Sequence, residues 1–329
     1  MDYYRPIATY SGTRSEDAVS LAGGKSWFDM VEVLSRKYPA KRIPACDLPA
    51  EILQKLSQPR PKFADLDMGR AHVMGVLNTT PDSFSDGGLH EDADVAIARG
   101  HEMMFQGASI VDVGGESTRP GADFVDRVAE INRVRPVIAV LSQTATVSID
   151  TRKADVARAA MDAGAVIFND VTALSFDPRS LSVLAETGAS VCLMHASGDP
   201  KTMQDDPQYG NVLLDVYDYL ATRVQLCLDA GIAQSKISID PGIGFGKTTE
   251  HNLLLIRGLS LFHGLGCPIL LGVSRKRFIG EIGDAQQAAD RVGGSIAVAL
   301  EGLRQGVQLL RVHDVKETVQ AVRLFEAIG

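Results

Sequence analysis

From residue 72 onward the chain alternates between short apolar, β-branched runs and longer segments with helical spacing. The runs are Val73 to Leu77, Ile110 to Val113, Thr146 to Ile149, Val166 to Phe168, Val191 to Met194, Ile237 to Ile239, Ile269 to Val273 and Leu309 to Val312. Such runs read as strands buried on both faces. Between them, Asp92 to Gln106, Lys153 to Ala163 and Leu213 to Ala230 read as helices. Gly107, Gly164 and Gly231 follow them directly, and glycine is a common residue just past a helix end. Strand and helix in alternation imply a parallel sheet with right-handed crossovers. Eight such units over about 250 residues suit a (β/α)₈ TIM barrel of the α/β class. A doubly wound open sheet is the alternative, but no G-x-G-x-x-G follows the first run.

Residues 1–70 do not share this rhythm and form an N-terminal extension packed on the barrel of residues 71–329. Trp27 to Leu34 fits neither the strand nor the helix period cleanly, and Pro49 to Leu56 has room for two helical turns. The extension carries no catalytic constellation.

The polar residues cluster where the apolar runs stop. The first run ends at Asn78 and enters a long polar segment, TTPDSFSDGG. The second gives Asp112 and then Gly114, Glu116, Ser117, Thr118 and Arg119. The third gives Asp150, the fourth Asn169 and Asp170, the fifth Met194 and His195. The sixth gives Asp240 followed by PGIGFGK, the seventh Ser274-Arg275-Lys276-Arg277, and the eighth Arg311, His313 and Asp314. In a barrel these ends converge on one face, where active sites of this fold lie. Asp150, Asn169 and Asp240 suit the N–H and amino groups of a flat heterocycle, with hydrogen bonds to charged acceptors worth about 1.5–3 kcal/mol each. Lys276, Arg311 and His313 suit an anion such as a phosphate, on an opposite side of the mouth. Asn78 can ligate Mg²⁺, which keeps waters and binds substrate phosphates. Asp112, inside its run, is open between a structural and a site role. His195 reads as a satisfied rim histidine, and Asp170 and Asp314 as helix N-caps.

Composition narrows the partners. The 329 residues are 45% hydrophobic and 22% charged with a net charge of -8, an ordinary globular balance. An acidic total argues against nucleic acid or an anionic membrane as the main partner. The four cysteines contain no C-x-x-C pair, so neither a zinc site nor a disulfide framework is expected. No apolar run approaches the roughly 18 residues of a membrane span, and the expected compartment is the cytoplasm.

The motifs NTTPDSFSDGG (78–88), DVGGESTRPGA (112–122), SIDT (148–151), FND (168–170), CLMH (192–195), DPGIGFGK (240–247), GVSRKRFIG (272–280) and RVHDVKET (311–318) occur in order at the strand ends. In these the chain resembles the dihydropteroate synthase family from about residue 72 onward. The resemblance implies condensation of 6-hydroxymethyl-7,8-dihydropterin pyrophosphate with 4-aminobenzoate to give 7,8-dihydropteroate and pyrophosphate, in folate biosynthesis. It implies a pterin site of Asp150, Asn169, Met194, Asp240, Gly244, Phe245, Lys276 and Arg311. Among these, Asp150, Asp240, Lys276 and Arg311 would be catalytic. Pyrophosphate would be held by Asn78 through Mg²⁺, with Thr118, Arg311 and His313. The aminobenzoate would meet Phe84, Thr118, Arg119, Pro120, Phe245 and Lys276. The family also implies a homodimer and a sulfonamide target. Two features depart from its pattern: Arg277 stands where some members have serine, and the leader is long. The competing readings are a pterin-binding domain of the corrinoid-linked methyltransferase type and a non-catalytic pterin-binding paralogue. Asn78 with its loop, the Ser274-Arg275-Lys276 run, and the Arg311 and His313 pair favour the synthase.

Overall fold

The computed structural model of the chain describes residues 1–79, 89–117, 124–197 and 207–329. The extension resolves into strands β1 (Asp2–Pro6), β2 (Val19–Ser20), β3 (Trp27–Phe28), β4 (Met30–Ser35) and β5 (Lys41–Pro44), then helix α1 (Ala50–Ser57). The ambiguous stretch from Trp27 is therefore strand, broken at Asp29. β1, β4 and β5 form an antiparallel sheet in the order β1-β4-β5. The helical turns expected after Pro49 are α1. Leu21, Phe28, Val31, Leu48 and Leu56 close a small core of their own.

Among the described residues, the barrel strands are β6 (His72–Asn78), β7 (Ile110–Gly114), β8 (Thr146–Asp150), β9 (Ile167–Asp170), β10 (Ser190–Met194), β11 (Ile237–Asp240), β12 (Leu270–Leu271) and β13 (Leu309–Val312). They pair in parallel in the order β11-β10-β9-β8-β7-β6-β13-β12. A parallel bridge between Ile239 and Ile269 joins β11 to the residue before β12 and closes the ring. The helices around it are α2 (Leu89–Phe105), α3 (Arg127–Leu141), α4 (Ala154–Asp162), α5 (Ser180–Thr187), α6 (Val212–Asp229), α7 (Thr249–Arg257), α8 (Arg277–Ile282), α9 (Val292–Arg304) and α10 (Val315–Ile328). β12 is shorter than its apolar run from Ile269 to Val273. The Pro268 carbonyl, just before the run, accepts from the Ile239 N–H at 3.0 Å.

The strands alternate their side chains between the barrel interior and the helices. Val73, Leu77, Val111, Val113, Val147, Ile149, Val191 and Leu193 belong to the large core shared with the helices. Met74, Ile110, Ile167, Cys192, Leu270 and Leu309 form a separate inner cluster. Two further members of that cluster, Phe63 and Met68, come from the extension and are almost fully buried. The end of the extension is thus the barrel's floor. Above the apolar layer, the same inward parity brings Asp112, Ser148, Asn169 and Arg311, and then Asn78, Asp150, Met194 and Asp240.

The rest of the extension is fastened to the outside. Tyr3 donates to Asp218 on α6 at 2.8 Å, and Arg36 pairs with Asp215 and Asp218 at 2.7 and 2.8 Å. Ser260 donates to the Pro6 carbonyl at 2.7 Å. The Tyr10 ring stacks on Phe325 of α10 with centroids 4.1 Å apart. Buried Arg60 donates to the Lys55 and His263 carbonyls at 3.0 and 2.9 Å, joining α1 to the segment before β12.

Because Phe63 fills the floor, Phe63→Ala should cost about 3–5 kcal/mol, the usual range for a buried aromatic truncated to alanine. Urea unfolding measures this. A loss below about 1 kcal/mol would show that the floor does not need the extension.

Candidate active site

At the C-terminal mouth of the barrel lies a cavity of about 670 Å³. β6 brings Asn78 to it, β8 Asp150, β9 Asn169, β10 Met194 and β11 Asp240. Arg311 from β13 and His313 just beyond it also line the wall. The glycine-rich turn after β11 supplies Gly244 and Phe245, and Lys276 stands at the N-cap of α8. The structure therefore places ten of the sequence-derived site residues around one space. Ser117 joins them. Phe84, Thr118, Arg119 and Pro120 lie outside the described residues.

The charges inside are interlocked. Arg311 donates from Nε to Asp112 Oδ2 and from Nη2 to Asp150 Oδ2, both at 2.6 Å. Asn169 donates from Nδ2 to the same Asp112 oxygen at 3.0 Å. The expected division into a carboxylate side and a cation side is thus corrected: the arginine sits between two of the carboxylates. The cause is burial, since Asp112 has no exposure and Asp150 has 4%, and buried charges must be paired. Burial disfavours the charged guanidinium, but Asp112 and Asp150, with Asp240, outweigh it and hold the Arg311 pKa above the usual value.

Asp112 is the residue that strand pattern alone left open. It fixes the Asn169 amide so that its nitrogen is used and its oxygen remains for another donor. It also shares Arg311 with Asp150. The strand ladder settles its face: Asp112 lies two residues above inward-facing Ile110 and shares its parity. Asp150 is held at Oδ2, while its Oδ1 is buried without a hydrogen-bond partner. Asp112 Oδ1 is unmet in the same way among the described residues, and an unmet buried acceptor costs about 1–3 kcal/mol. On the next wall Asp240 Oδ1 accepts from the Gly242 N–H at 2.7 Å. The Lys276 ammonium lies 3.9 Å from the centre of the Phe245 ring, a cation–π contact.

Behind Asp150 stands a second charged cluster, in which Arg152, Lys153 and Glu130 join Glu116, the member named at its strand end. Lys153 pairs with Glu116 and Glu130, and Arg152 with Glu116 at 2.9 Å. Thr151 donates to Glu130 at 2.7 Å, so the residue next to Asp150 is anchored to α3. Burial raises the Glu130 carboxyl, with Lys153 opposing.

Other rim residues have structural partners. His195 is buried, takes Lys247 Nζ at 2.9 Å on Nδ1, and stands edge-on to Tyr219. Asp170 is not a helix cap: it faces away from the mouth and accepts from the Thr172 and Leu174 N–H groups at 2.7 and 3.0 Å. Asp314 occupies the N-cap position of α10 without a capping bond, because Arg275 takes both its oxygens at 2.5 and 3.0 Å. Arg277 is exposed and pairs with Glu281 at 2.7 Å.

Among the described residues no group of three or more His, Cys, Asp or Glu side chains is arranged to hold a metal. An all-protein cage is therefore not what the mouth offers. Asn78 stands at the strand end, and a Cβ added at Gly114 would lie 3.8 Å from its amide oxygen. An amide oxygen is a donor of the kind a hard cation accepts beside water and phosphate oxygens.

Comparison with known proteins agrees with this geometry. The family described as pterin binding enzyme matches residues 74–313. The dihydropteroate synthase of Escherichia coli strain K12 is 47% identical over 264 residues, covering 80% of this chain and 93% of that protein. The Xanthomonas albilineans dihydropteroate synthase solved with 4-aminobenzoic acid is 44% identical with a TM-score of 0.77, covering 82% of this chain and 98% of that one. The Yersinia pestis dihydropteroate synthase solved with a sulfonamide drug complex is 44% identical with a TM-score of 0.75, covering 80% and 95%.

The state of Asp150 has a measurable consequence. Burial raises its pKa above 3.8, Arg311 opposes the rise and Asp112 adds to it. Between the unfolded and folded values the unfolded chain has released a proton that the folded chain keeps. The contribution to stability is thus fully present below about pH 3.8 and is lost as pH rises through the folded value. Asp150→Asn should remove that decline from a plot of unfolding free energy against pH. Parallel plots for the two proteins would show that Asp150 does not titrate in this way.

Proposed function

The chain belongs to the pterin-binding enzymes and, among them, to the dihydropteroate synthases, and from that premise we propose that this mouth is where a dihydropterin pyrophosphate and 4-aminobenzoate are joined. The observation that carries the reading is a single cavity lined by Asp150, Asn169 and Asp240, with the Asn169 amide oriented by Asp112. Three acceptors around one cavity suit the ring N–H and amino groups of a pterin. Met194 supplies an apolar wall, and the planar Arg311 guanidinium can stack on the ring while it keeps Asp150 aimed.

The protein is a transferase, and the finer reading is transfer of an alkyl group other than methyl. The bond from the pterin's exocyclic methylene to the pyrophosphate oxygen breaks, and pyrophosphate leaves with the electron pair. The arylamine nitrogen then bonds to the methylene and loses a proton, giving 7,8-dihydropteroate. Positive charge on the methylene carbon spreads into the pterin, where Asp150 and Asp240 would face it. Opposite charges 4 Å apart at an effective dielectric near 20 attract by about 4 kcal/mol, close to three powers of ten in rate. Lys276, Arg311 and His313 take up charge on the leaving group. Mg²⁺, held by Asn78, would supply further neutralisation of the pyrophosphate when bound. Phe245 and the Lys276 stem form the wall against which the aminobenzoate would lie, with Phe84, Thr118, Arg119 and Pro120 as its other proposed contacts.

The synthase reading stands above the methyltransferase type and the non-catalytic paralogue, because the matched relatives are synthases along nearly their whole length. A homodimer in the cytoplasm is the accompanying proposal. Among the described residues no helix is long and apolar enough to cross a membrane.

Purified protein with dihydropterin pyrophosphate and Mg²⁺ should release pyrophosphate and form dihydropteroate only when 4-aminobenzoate is present, as followed by chromatography. Pterin binding without dihydropteroate would move the assignment to one of the competing readings. Asp150→Asn should lower kcat about 10²–10³-fold, the rate equivalent of roughly 3–4 kcal/mol of lost stabilisation. A near-normal rate would remove Asp150 from its electrostatic role. Asn78→Ala should raise the Mg²⁺ concentration needed for half-maximal rate, and an unchanged Mg²⁺ dependence would remove Asn78 as a ligand.

A further inference from the structure

We propose that Lys247 is a positioning residue for this condensation: its amino group, ringed by backbone carbonyls, sets the turn that presents Asp240 and Phe245 to the substrates. The inference rests on the reading of the mouth given above and assigns a role to a residue at the cavity wall whose amino group is bonded to the protein itself.

Lys247 follows β11 by seven residues and is buried at 3% exposure. Its Nζ lies 2.9 Å from the Gly242 carbonyl, 2.9 Å from the Phe245 carbonyl, 3.3 Å from the His195 carbonyl and 2.9 Å from His195 Nδ1. The turn can aim two of its carbonyls inward because it is wound through left-handed glycines. Gly242 has φ +68°, and a Cβ there would stand 1.8 Å from the His195 oxygen. Gly246 has φ +61°, and a Cβ there would stand 2.7 Å from the Ser197 oxygen. Two strand exits, at β10 and β11, are thereby drawn around one nitrogen.

What the turn shows on its other side is the site. The Gly242 N–H holds Asp240 Oδ1, the Phe245 ring carries the Lys276 ammonium, and Gly244 abuts the Lys276 stem, whose Cδ would be 3.0 Å from an added Cβ. Asn252 on α7 holds the Gly244 N–H at 2.7 Å. A lysine is a costly way to fill a buried space, since apolar residues of similar volume usually do so better. Here it does what an apolar side chain cannot, by drawing carbonyls from separate segments to a single point. Burial lowers its pKa to about 7, with Asp240 opposing and Lys276 adding to the fall. The ring of acceptors favours its protonated form. His195 is held neutral, its pKa lowered to about 3 by burial and by Lys247, so Nδ1 is free to accept.

The experiment measures dihydropterin pyrophosphate affinity by calorimetry in the presence of Mg²⁺, and the aminobenzoate KM by steady-state assay. It compares the unmutated protein with Lys247→Met and Lys247→Gln, using Leu220→Ala, a core change in α6, as a stability control. Each Lys247 variant should weaken pterin binding at least tenfold and raise the aminobenzoate KM by a similar factor. Leu220→Ala should lower Tm and leave both constants within twofold. A folded Lys247 variant with both constants within twofold of the unmutated protein would overturn the proposal. In the unmutated protein the Lys247 side-chain NMR signals should shift on addition of dihydropterin pyrophosphate, and no shift would overturn the proposal even if neither variant folds. Turnover by the unmutated protein judges the reaction, and binding and the NMR shift judge Lys247, so the two readings can fail separately.

Discussion

An arginine held between two carboxylates inside a barrel is the constraint on which this site depends. Arg311 bonds Asp112 and Asp150 at 2.6 Å each, in a layer directly above an apolar floor. Neither aspartate could stay buried and ionised alone, and the guanidinium could not be buried without them. Pairing them has a directional result as well as an energetic one. Asp150 is held by one oxygen, which leaves the other without a hydrogen-bond partner among the described residues. Asp112 holds Asn169 by its amide nitrogen, which leaves the amide oxygen. A charge network of one cation shared by two carboxylates is thus a patterned set of acceptors at the mouth, formed before any substrate arrives.

Much of this was legible because parallel strands buried on both faces have sharp chemical ends. Asn78, Asp150, Asn169, Asp240 and Arg311 stand at or next to the ends of uniform apolar runs, and barrel geometry brings such ends together. Asp112 was harder to read for the same reason: with Val111 and Val113 on either side, the run has no visible alternation to say which face it occupies. Its parity emerges only from the ladder, where it pairs with Ser148 and, across Gly114, aligns with Asp150. Charge pairing was likewise invisible, because Arg311 and Asp112 are 199 residues apart in the chain. Asp170 and Asp314 show the limit of local rules. Both are in positions where an N-cap is sensible, yet one is claimed by its own turn and the other by Arg275.

The extension was unreadable as function and only half readable as structure. Its strands β2 and β3 are two residues long each, too short for a periodic signal, and its core is a handful of side chains. Its contribution to the barrel came from two residues, Phe63 and Met68, in a segment that belongs to no strand or helix and so carries no period to read. A single segment therefore both joins and seals, and the boundary near residue 70 separates the rhythm of the chain more cleanly than it separates the packing.

That division of labour explains how the mouth tolerates its chemistry. Buried carboxylates, an unmet acceptor and a lysine with a lowered pKa all subtract from stability at one end of the barrel. The other end contains apolar side chains in contact with an apolar plug, and the outward faces of the strands share a large core with the helices. Strain and polarity are concentrated where strands stop, and cohesion where they begin. A rearrangement of charges at the mouth on substrate binding can then proceed without loosening the ring of strands, since the residues that hold the ring together are not the residues that meet the ligand.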